Sequence, residues 1–307
     1  MGSVKKIIVT GSNGLLGQKI IYNLKDNEEV ELMATGIGEN RTADKSGYQY
    51  MSCDIGDAEQ VAELFEAFEP DCIINTAAMT NVDACENDKD KAHRLNVSAV
   101  EYMIDNCKKY GAHFIHLSTD FVFDGEDGPY DEEAEPNPQS HYSKTKYEGE
   151  KLLMASGLDW CIIRTIIIYG VVDDMQRSNL VLWTKSSLEQ GKDINVITDQ
   201  FRAPTLSEDL AQACVSAAMK KATGVYHVAG PDIMSIIDSV KMVADFFGLD
   251  KKYIHPITTA ELNQAAKRPL KTGFIIDKAK RDLDYKPHSF LEGLKFVKQQ
   301  LAEKEKA

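Results

Sequence analysis

The chain has 307 residues, 43% of them hydrophobic, which suits one large α/β unit or two closely joined domains and argues against a disordered polymer. Its formal charge of −13, from 48 acidic against 35 basic side chains, argues against nucleic acid or an anionic membrane as the main partner, because both need a basic footprint.

In chain order, the first predicted element is a strand over Val4–Thr10 that runs directly into Gly11-Ser12-Asn13-Gly14-Leu15-Leu16-Gly17. Leu15, Leu16, Ile20, Ile21 and Leu24 then repeat with helical spacing. A glycine turn between an apolar strand and an amphipathic helix is the layout of a dinucleotide-binding first βα unit. Gly11 permits the tight turn, Gly14 the approach of a pyrophosphate to bare backbone, and Gly17 the packing of helix on strand. Gly11, Asn13, Gly14, Leu15 and Gly17 are therefore the first cofactor-binding candidates. Further strands are predicted over Val30–Thr35, Tyr48–Cys53, Asp71–Thr76, Ala112–Ser118 and Leu158–Arg164, with helices over Asp57–Phe68 and Asp88–Tyr110 between them. Their near-continuous hydrophobicity predicts a parallel sheet covered on both faces. The acidic stretch Asp124–Pro138 is expected to be a loop with its carboxylates in water, because Pro129, Pro136 and Pro138 deny it a regular helix. Past Arg164 the regularity weakens to Pro204, followed by a helix near Ser207–Lys220 and a strand at Val225–Ala229. The expected fold is a Rossmann-type doubly wound α/β sheet with a smaller C-terminal domain. Residues 1–170 would bind NAD(P), 204–229 would return to that unit, and 171–307 would mainly hold substrate.

Three stretches carry chemistry. Tyr142-Ser143-Lys144-Thr145-Lys146 opens a helix after Pro138, so Tyr142 and Lys146 lie one turn apart on one face. A neighbouring ammonium would favour the phenolate, making the pair a general acid for a carbonyl oxygen as hydride reaches carbon. Lys146 would also hold the nicotinamide ribose. The fifth strand ends in Ser118-Thr119-Asp120-Phe121, at the carboxyl edge where open α/β sheets take ligands, and Thr119 offers a hydroxyl there. The fourth ends near Asn75-Thr76-Ala77-Ala78-Met79-Thr80, where Ala77 and Ala78 give the cofactor room and Thr80 adds a hydroxyl. The second strand ends in Thr35-Gly36 without the acid that commonly holds a ribose 2′-hydroxyl, and Arg41 follows, so NADPH is favoured with NADH as the alternative. His113 and His116 read as packed or hydrogen-bonded residues of a strand interior, and His141 as the start of the helix. No histidine pair has metal-ligand spacing, and no Gly-x-Ser-x-Gly elbow appears, so no metal ligand is assigned. The six cysteines, Cys53, Cys72, Cys85, Cys107, Cys161 and Cys214, are scattered, and reduced thiols in a cytoplasmic protein are expected.

Taken together, the glycine loop, Asn75–Asp83, Ser118–Gly125, Tyr142–Lys146 with Glu148-Gly149-Glu150, Arg164 through Tyr169-Gly170, Asp199–Thr205, Tyr226–Gly230 and Arg268-Pro269 resemble an extended short-chain dehydrogenase/reductase. Within that group the chain is similar to the dTDP-4-dehydrorhamnose reductase family over nearly its whole length. The resemblance implies reduction of a 4-keto group on a nucleotide-linked deoxysugar, with Thr119, Tyr142 and Lys146 catalytic and Asn96 supporting a proton relay. It places Asp54 and Ile55 beside the adenine, and Thr80, Val82 and Phe121 at the sugar with Thr119 and Tyr142. It also implies a homodimer in many members and Mg²⁺ in some. Phe121 stands where the family has Tyr, Arg202 where it has Gly, and Thr272 where it has Ser. Arg202 is expected near the diphosphate or sugar. Two other readings stay open: an epimerase or dehydratase that retains NAD, and a non-catalytic NADP-binding subunit of the methionine adenosyltransferase type.

Overall fold

The computed structural model describes residues 4–174, 178–262 and 264–306. Strands β1 (Lys5–Thr10), β2 (Val30–Gly36), β3 (Gln49–Ser52), β4 (Cys72–Asn75), β5 (His113–Thr119) and β6 (Trp160–Thr165) alternate with α1 (Leu15–Leu24), α2 (Ala58–Phe68), α3 (Val82–Asn87), α4 (Lys89–His93), α5 (Ala99–Tyr110) and α6 (His141–Met154). Downstream lie β7 (Ile168–Tyr169), α7 (Leu180–Glu189), β8 (Ile194–Ile197), β9 (Phe201–Arg202), β10 (Thr205–Leu206), α8 (Ser207–Lys220) and β11 (Gly224–His227). The chain continues through β12 (Met234–Ser235), α9 (Ile236–Phe247), β13 (Ile254–Ile257), α10 (Thr259–Leu262), α11 (Asp277–Asp282) and α12 (Phe290–Lys304). Seven strands form one parallel sheet in the order β11-β6-β5-β4-β1-β2-β3.

The order reverses between β1 and β4, so the chain leaves these neighbours in opposite directions and opens a crevice at their carboxyl ends. Both sheet faces are buried. Val9, Ile20, Leu210 and Cys214 pack on one, and Val61, Phe65, Met103 and Leu153 on the other, which is why these strands read as continuous apolar runs. A separate cluster of Val181, Leu182, Val243, Phe290, Leu294 and Val297 joins α7, α9 and α12.

Three expectations are revised. The helix predicted over Asp88–Tyr110 is broken by a π turn at Arg94–Ser98, which swings Asn96 into the interior. The irregular stretch after Arg164 contains a regular helix, α7, capped by Asn179. The acidic loop does not leave all its carboxylates in water: Asp124 accepts from the Tyr130 hydroxyl and Asn137, while Glu132 accepts the His227 backbone N–H.

Three histidines are buried in the sheet. His227 lies against Arg164, and its Nδ1 is 3.1 Å from the Tyr130 carbonyl. Burial, and then the Arg164 charge, push its pKa down to about 3. Burial also lowers His113 and His116 below the ordinary value. In the unfolded chain each would protonate near pH ~6.5. Below that pH the unfolded state binds protons that the folded state refuses, so stability falls with acidity by up to about 1.4 kcal/mol per pH unit for each such group. Stepped-pH urea denaturation should therefore show a steep loss below pH ~6.5. His227→Asn, which retains a donor for Tyr130, should flatten that slope; an unchanged slope would mean that His227 is not buried in neutral form.

Candidate active site

The crevice floor is set by backbone contact. Gly11 has φ +66°, and a Cβ there would lie 2.7 Å from Thr76 Oγ1 and 2.8 Å from the Ala77 nitrogen. A Cβ on Gly17 would lie 2.3 Å from the Gly11 carbonyl, so only glycine lets α1 approach the end of β1. Gly14 caps α1 with no side-chain acceptor for the first-turn N–H groups. Those donors face a cradle suited to phosphate oxygens. The buried hydroxyls of Ser12 and Ser118 have no protein partner. Glycine cradle, uncapped helix and spare hydroxyls fit a dinucleotide.

Around this cradle, Asn13 acts as a staple. Its Nδ2 donates to the Glu39 carbonyl at 2.9 Å and to Tyr50 Oη at 3.2 Å, and its Oδ1 accepts the Arg41 backbone N–H at 2.9 Å. That fixes the loop carrying Arg41, whose half-exposed guanidinium lies 3.9 Å from Asp174. Leu15 opens α1. Asp54 accepts from Gly56 and Arg94, and Ile55 beside it is buried. Ala77 and Ala78 are half-buried after β4, whereas Thr80 is exposed.

Helix α6 begins with a capping box between Ser140 and Ser143, which orients its first turn. Tyr142 is 8% exposed, packs beside Cys85, Val82 and Phe121, and shares a hydrogen bond with Thr119. Asn96 holds the Met79 backbone from both sides: its Oδ1 accepts the N–H at 2.9 Å, while its Nδ2 donates to the carbonyl at 3.1 Å and to Thr145 Oγ1 at 3.1 Å. The π turn thereby braces the loop after β4 against α6.

Lys146 departs from expectation. Its Nζ donates to the Leu117 carbonyl at 2.7 Å and lies 3.2 Å from His116 Nε2. Burial, opposed by Glu150, pulls its pKa down to about 8. The Tyr142 phenol is raised well above its ordinary value, chiefly by burial, with the Thr119 bond acting the other way. Desolvation dominates the phenol, and Lys146 is not among the groups that shift it.

Arg202 is also placed differently. It is 1% exposed and donates to the carbonyls of Phe201, Leu270 and Pro269 and to Gln200 Oε1, so no face of the guanidinium is turned to solvent. Its Nε lies 3.6 Å from Asp120 Oδ2, and the Phe121 ring covers it at 5.4 Å. Burial raises the Asp120 carboxyl, against Arg202, Thr272 and Thr119, which favour the carboxylate. The residue expected at a sugar or diphosphate is instead a strut under the Thr119–Phe121 turn. A second arginine, Arg268, donates to Asp83 at 2.6 Å and closes the Ala266–Thr272 segment over the same end of the crevice.

Of the residues expected at the sugar, the structure sets Thr119, Tyr142, Val82 and Phe121 side by side. Sequence reasoning missed Lys146–His116, Asp120–Arg202–Thr272 and Asp83–Arg268. His116 carried an advance signal as a polar residue in a strand that ends at the crevice, and Arg202 and Thr272 as departures from the family pattern.

A parallel sheet with a glycine cradle at its switch point, and a helix presenting Tyr142 and Lys146 at the same edge, define an oxidoreductase of the extended short-chain dehydrogenase/reductase type. A family model described as RmlD substrate binding domain matches residues 5–303, and the chain belongs to that family. It is 31% identical over 270 residues to "Methionine adenosyltransferase 2 subunit beta" of Bos taurus, covering 86% of this chain and 78% of the other. It is 33% identical over 265 residues to "Probable low-salt glycan biosynthesis reductase Agl14" of Haloferax volcanii, covering 85% and 86%. A dTDP-4-dehydrorhamnose reductase from Bacillus anthracis str. Ames, solved in complex with NADP, superposes with a TM-score of 0.84 at 26% identity, covering 96% of this chain and 99% of that one.

Replacing Arg202 by glycine, the residue usual in the family, should leave the Asp120 carboxylate buried without its cation. The expected loss is about 3–5 kcal/mol in guanidinium denaturation, whereas Phe121→Tyr should stay within about 1 kcal/mol of the parent. An Arg202→Gly loss below about 1 kcal/mol would show that the strut is dispensable.

Proposed function

We propose that this chain reduces a 4-keto group on a nucleotide-linked deoxysugar, with NADPH as the preferred reductant. The observation that carries the reading is Tyr142, buried beside Thr119 at the crevice edge with Lys146 one turn behind it. A bound reduced nicotinamide supplies the hydride. Gly11, Asn13, Gly14, Leu15 and Gly17 would hold its phosphates, with Asp54, Ile55, Ala77, Ala78 and Thr80 lining the remainder of that site. Thr119 and Tyr142 bind the keto oxygen, Tyr142 Oη gives it a proton as the carbon is reduced, and Phe121 and Val82 exclude water from one side. Asn96 keeps the loop after β4 in place. Residues 171–307 supply most of the sugar site. We assign the protein to the cytoplasm, as a homodimer.

A second reading has its own support in the similarity to methionine adenosyltransferase 2 subunit beta: an NADP-binding partner subunit without turnover. Oxidation of NADPH by dTDP-4-dehydrorhamnose and a panel of other 4-keto sugars separates the two. Release of oxidised cofactor after each turnover separates the reductase from an epimerase or dehydratase that retains it. Turnover with none of the panel would favour the partner subunit.

Tyr142→Phe keeps the ring and removes the proton donor, so kcat should fall by ~10²–10⁴-fold while cofactor affinity is held. Turnover within a few-fold of the parent would sink the assignment. Lys146→Ala should lower both rate and cofactor affinity. For cofactor choice, fluorescence titration should show NADPH binding more tightly than NADH, and Arg41→Ala should cost about 1.5–3 kcal/mol for NADPH alone. Equal affinities in the parent would refute the preference.

A further inference from the structure

The sheet register sets Thr10 opposite Asn75 and Asn75 opposite His116, so three polar side chains from β1, β4 and β5 form one buried row. Hydrogen bonds run along it. Thr10 Oγ1 donates to Asn75 Oδ1 at 2.6 Å, Asn75 Nδ2 lies 3.1 Å from His116 Nδ1, and His116 Nε2 lies 3.2 Å from Lys146 Nζ. The direction of the chain is set at its far end. The Ala77 backbone N–H, which can only donate, lies 3.4 Å from Thr10 Oγ1 and 3.3 Å from Asn75 Oδ1. Were the Asn75 amide reversed, its NH₂ would face that N–H, donor against donor. Asn75 therefore presents Nδ2 to the histidine, His116 Nδ1 must accept, and the neutral ring carries its proton on Nε2.

That proton faces the lysine. We propose that His116 is a positioning residue which, locked in its Nε2–H tautomer by Ala77, Thr10 and Asn75, presents a donor to Lys146 Nζ and so favours the neutral amine, whose lone pair can accept that bond, over the ammonium, which cannot. The Leu117 carbonyl accepts from Nζ in either state. Other charged and titratable groups nearby do not reverse this preference. Glu150, one turn along α6, favours the ammonium, yet its carboxylate is engaged by Arg164 at 2.7 and 3.0 Å. Tyr142 on the same helix is an un-ionised phenol. Asp120, beyond Thr119, is committed to Thr272 and Arg202. Asn96 and Thr145, from the π turn and α6, are neutral. Gly149 lets α6 sit this close, since a Cβ there would lie 2.8 Å from the Asn96 carbonyl. Burial by itself also displaces both groups downward, and the Lys146 charge adds to the shift of His116.

The consequence, which rests on the catalytic reading above, is that His116 helps to set how readily Lys146, one turn from Tyr142, parts with its proton.

The test uses the full chain. With ¹⁵N-labelled histidine, the His116 ring signals, assigned by their loss in His116→Gln, should show the proton on Nε2; a proton on Nδ1 overturns the proposal. With ¹³Cε-labelled lysine, the Lys146 midpoint should move up by about one pH unit, to a tenfold lower proton concentration, in His116→Gln, whose side chain can turn a carbonyl to the ammonium. An unchanged midpoint also overturns it. If that variant does not fold, the His116 ring is assigned in the parent by through-bond correlation to its own backbone, and its tautomer decides alone. In the pH profile of kcat/KM, the limb belonging to Lys146 should move with the midpoint. Both magnetic-resonance readouts need no substrate, so failure to turn over a keto sugar would sink the catalytic reading and leave the His116 result standing.

Discussion

The approach of bare backbone at the switch point between β1 and β4 is the constraint on which the molecule depends. Gly11 meets Thr76 and Ala77, and Gly17 meets the Gly11 carbonyl, at distances no side chain tolerates. This contact aims the uncapped N-terminus of α1 into the crevice. It also brings the Ala77 N–H against Thr10 and Asn75. Cofactor cradle and polar row thus share one origin, and a bulkier residue at Gly11 would disturb both.

The second organising principle is that buried polar groups are answered by partners fixed from other elements. Glu150 and Arg164 pair bidentately between α6 and β6, holding the helix of Tyr142 on the sheet. Arg202 ties β9 to the Ala266–Thr272 segment through backbone carbonyls and to β5 through Asp120. Arg268 ties the same segment to α3 through Asp83. The Ala266–Thr272 segment is therefore held at the crevice by ionic and carbonyl contacts. Such contacts fix geometry more than they add stability, because each ion gives up hydration on burial.

Chemistry at this site follows from graded desolvation. Tyr142, Lys146, His116 and Asp120 all occupy interior positions, and in each the neutral form gains relative to the charged one. A tyrosine kept protonated is a donor in waiting, and a lysine whose ammonium is penalised can part with its proton. The environment, more than the Tyr-x-x-x-Lys spacing, sets what the pair can do.

The sequence by itself determined the alternation of strands and helices, the glycine cradle, and the placement of Tyr142 and Lys146 on one turn opening after Ser140. These are local signals, carried by apolar periodicity, by residues able to adopt positive φ, and by capping side chains within a few positions of each other. Register, burial and facing partners were decided only by the tertiary structure. Thr10 and Asn75 stand 65 residues apart, and Asn75 and His116 41 apart, yet they form one row because three strands align in a single parallel register. The π turn that turns Asn96 inward, and the burial of Arg202 beneath Phe121, likewise follow from what packs against them. A lysine's spacing from a tyrosine is written in the chain, but its proton affinity is fixed by desolvation and by which atom of a distant residue faces it, and both exist only once the strands have paired.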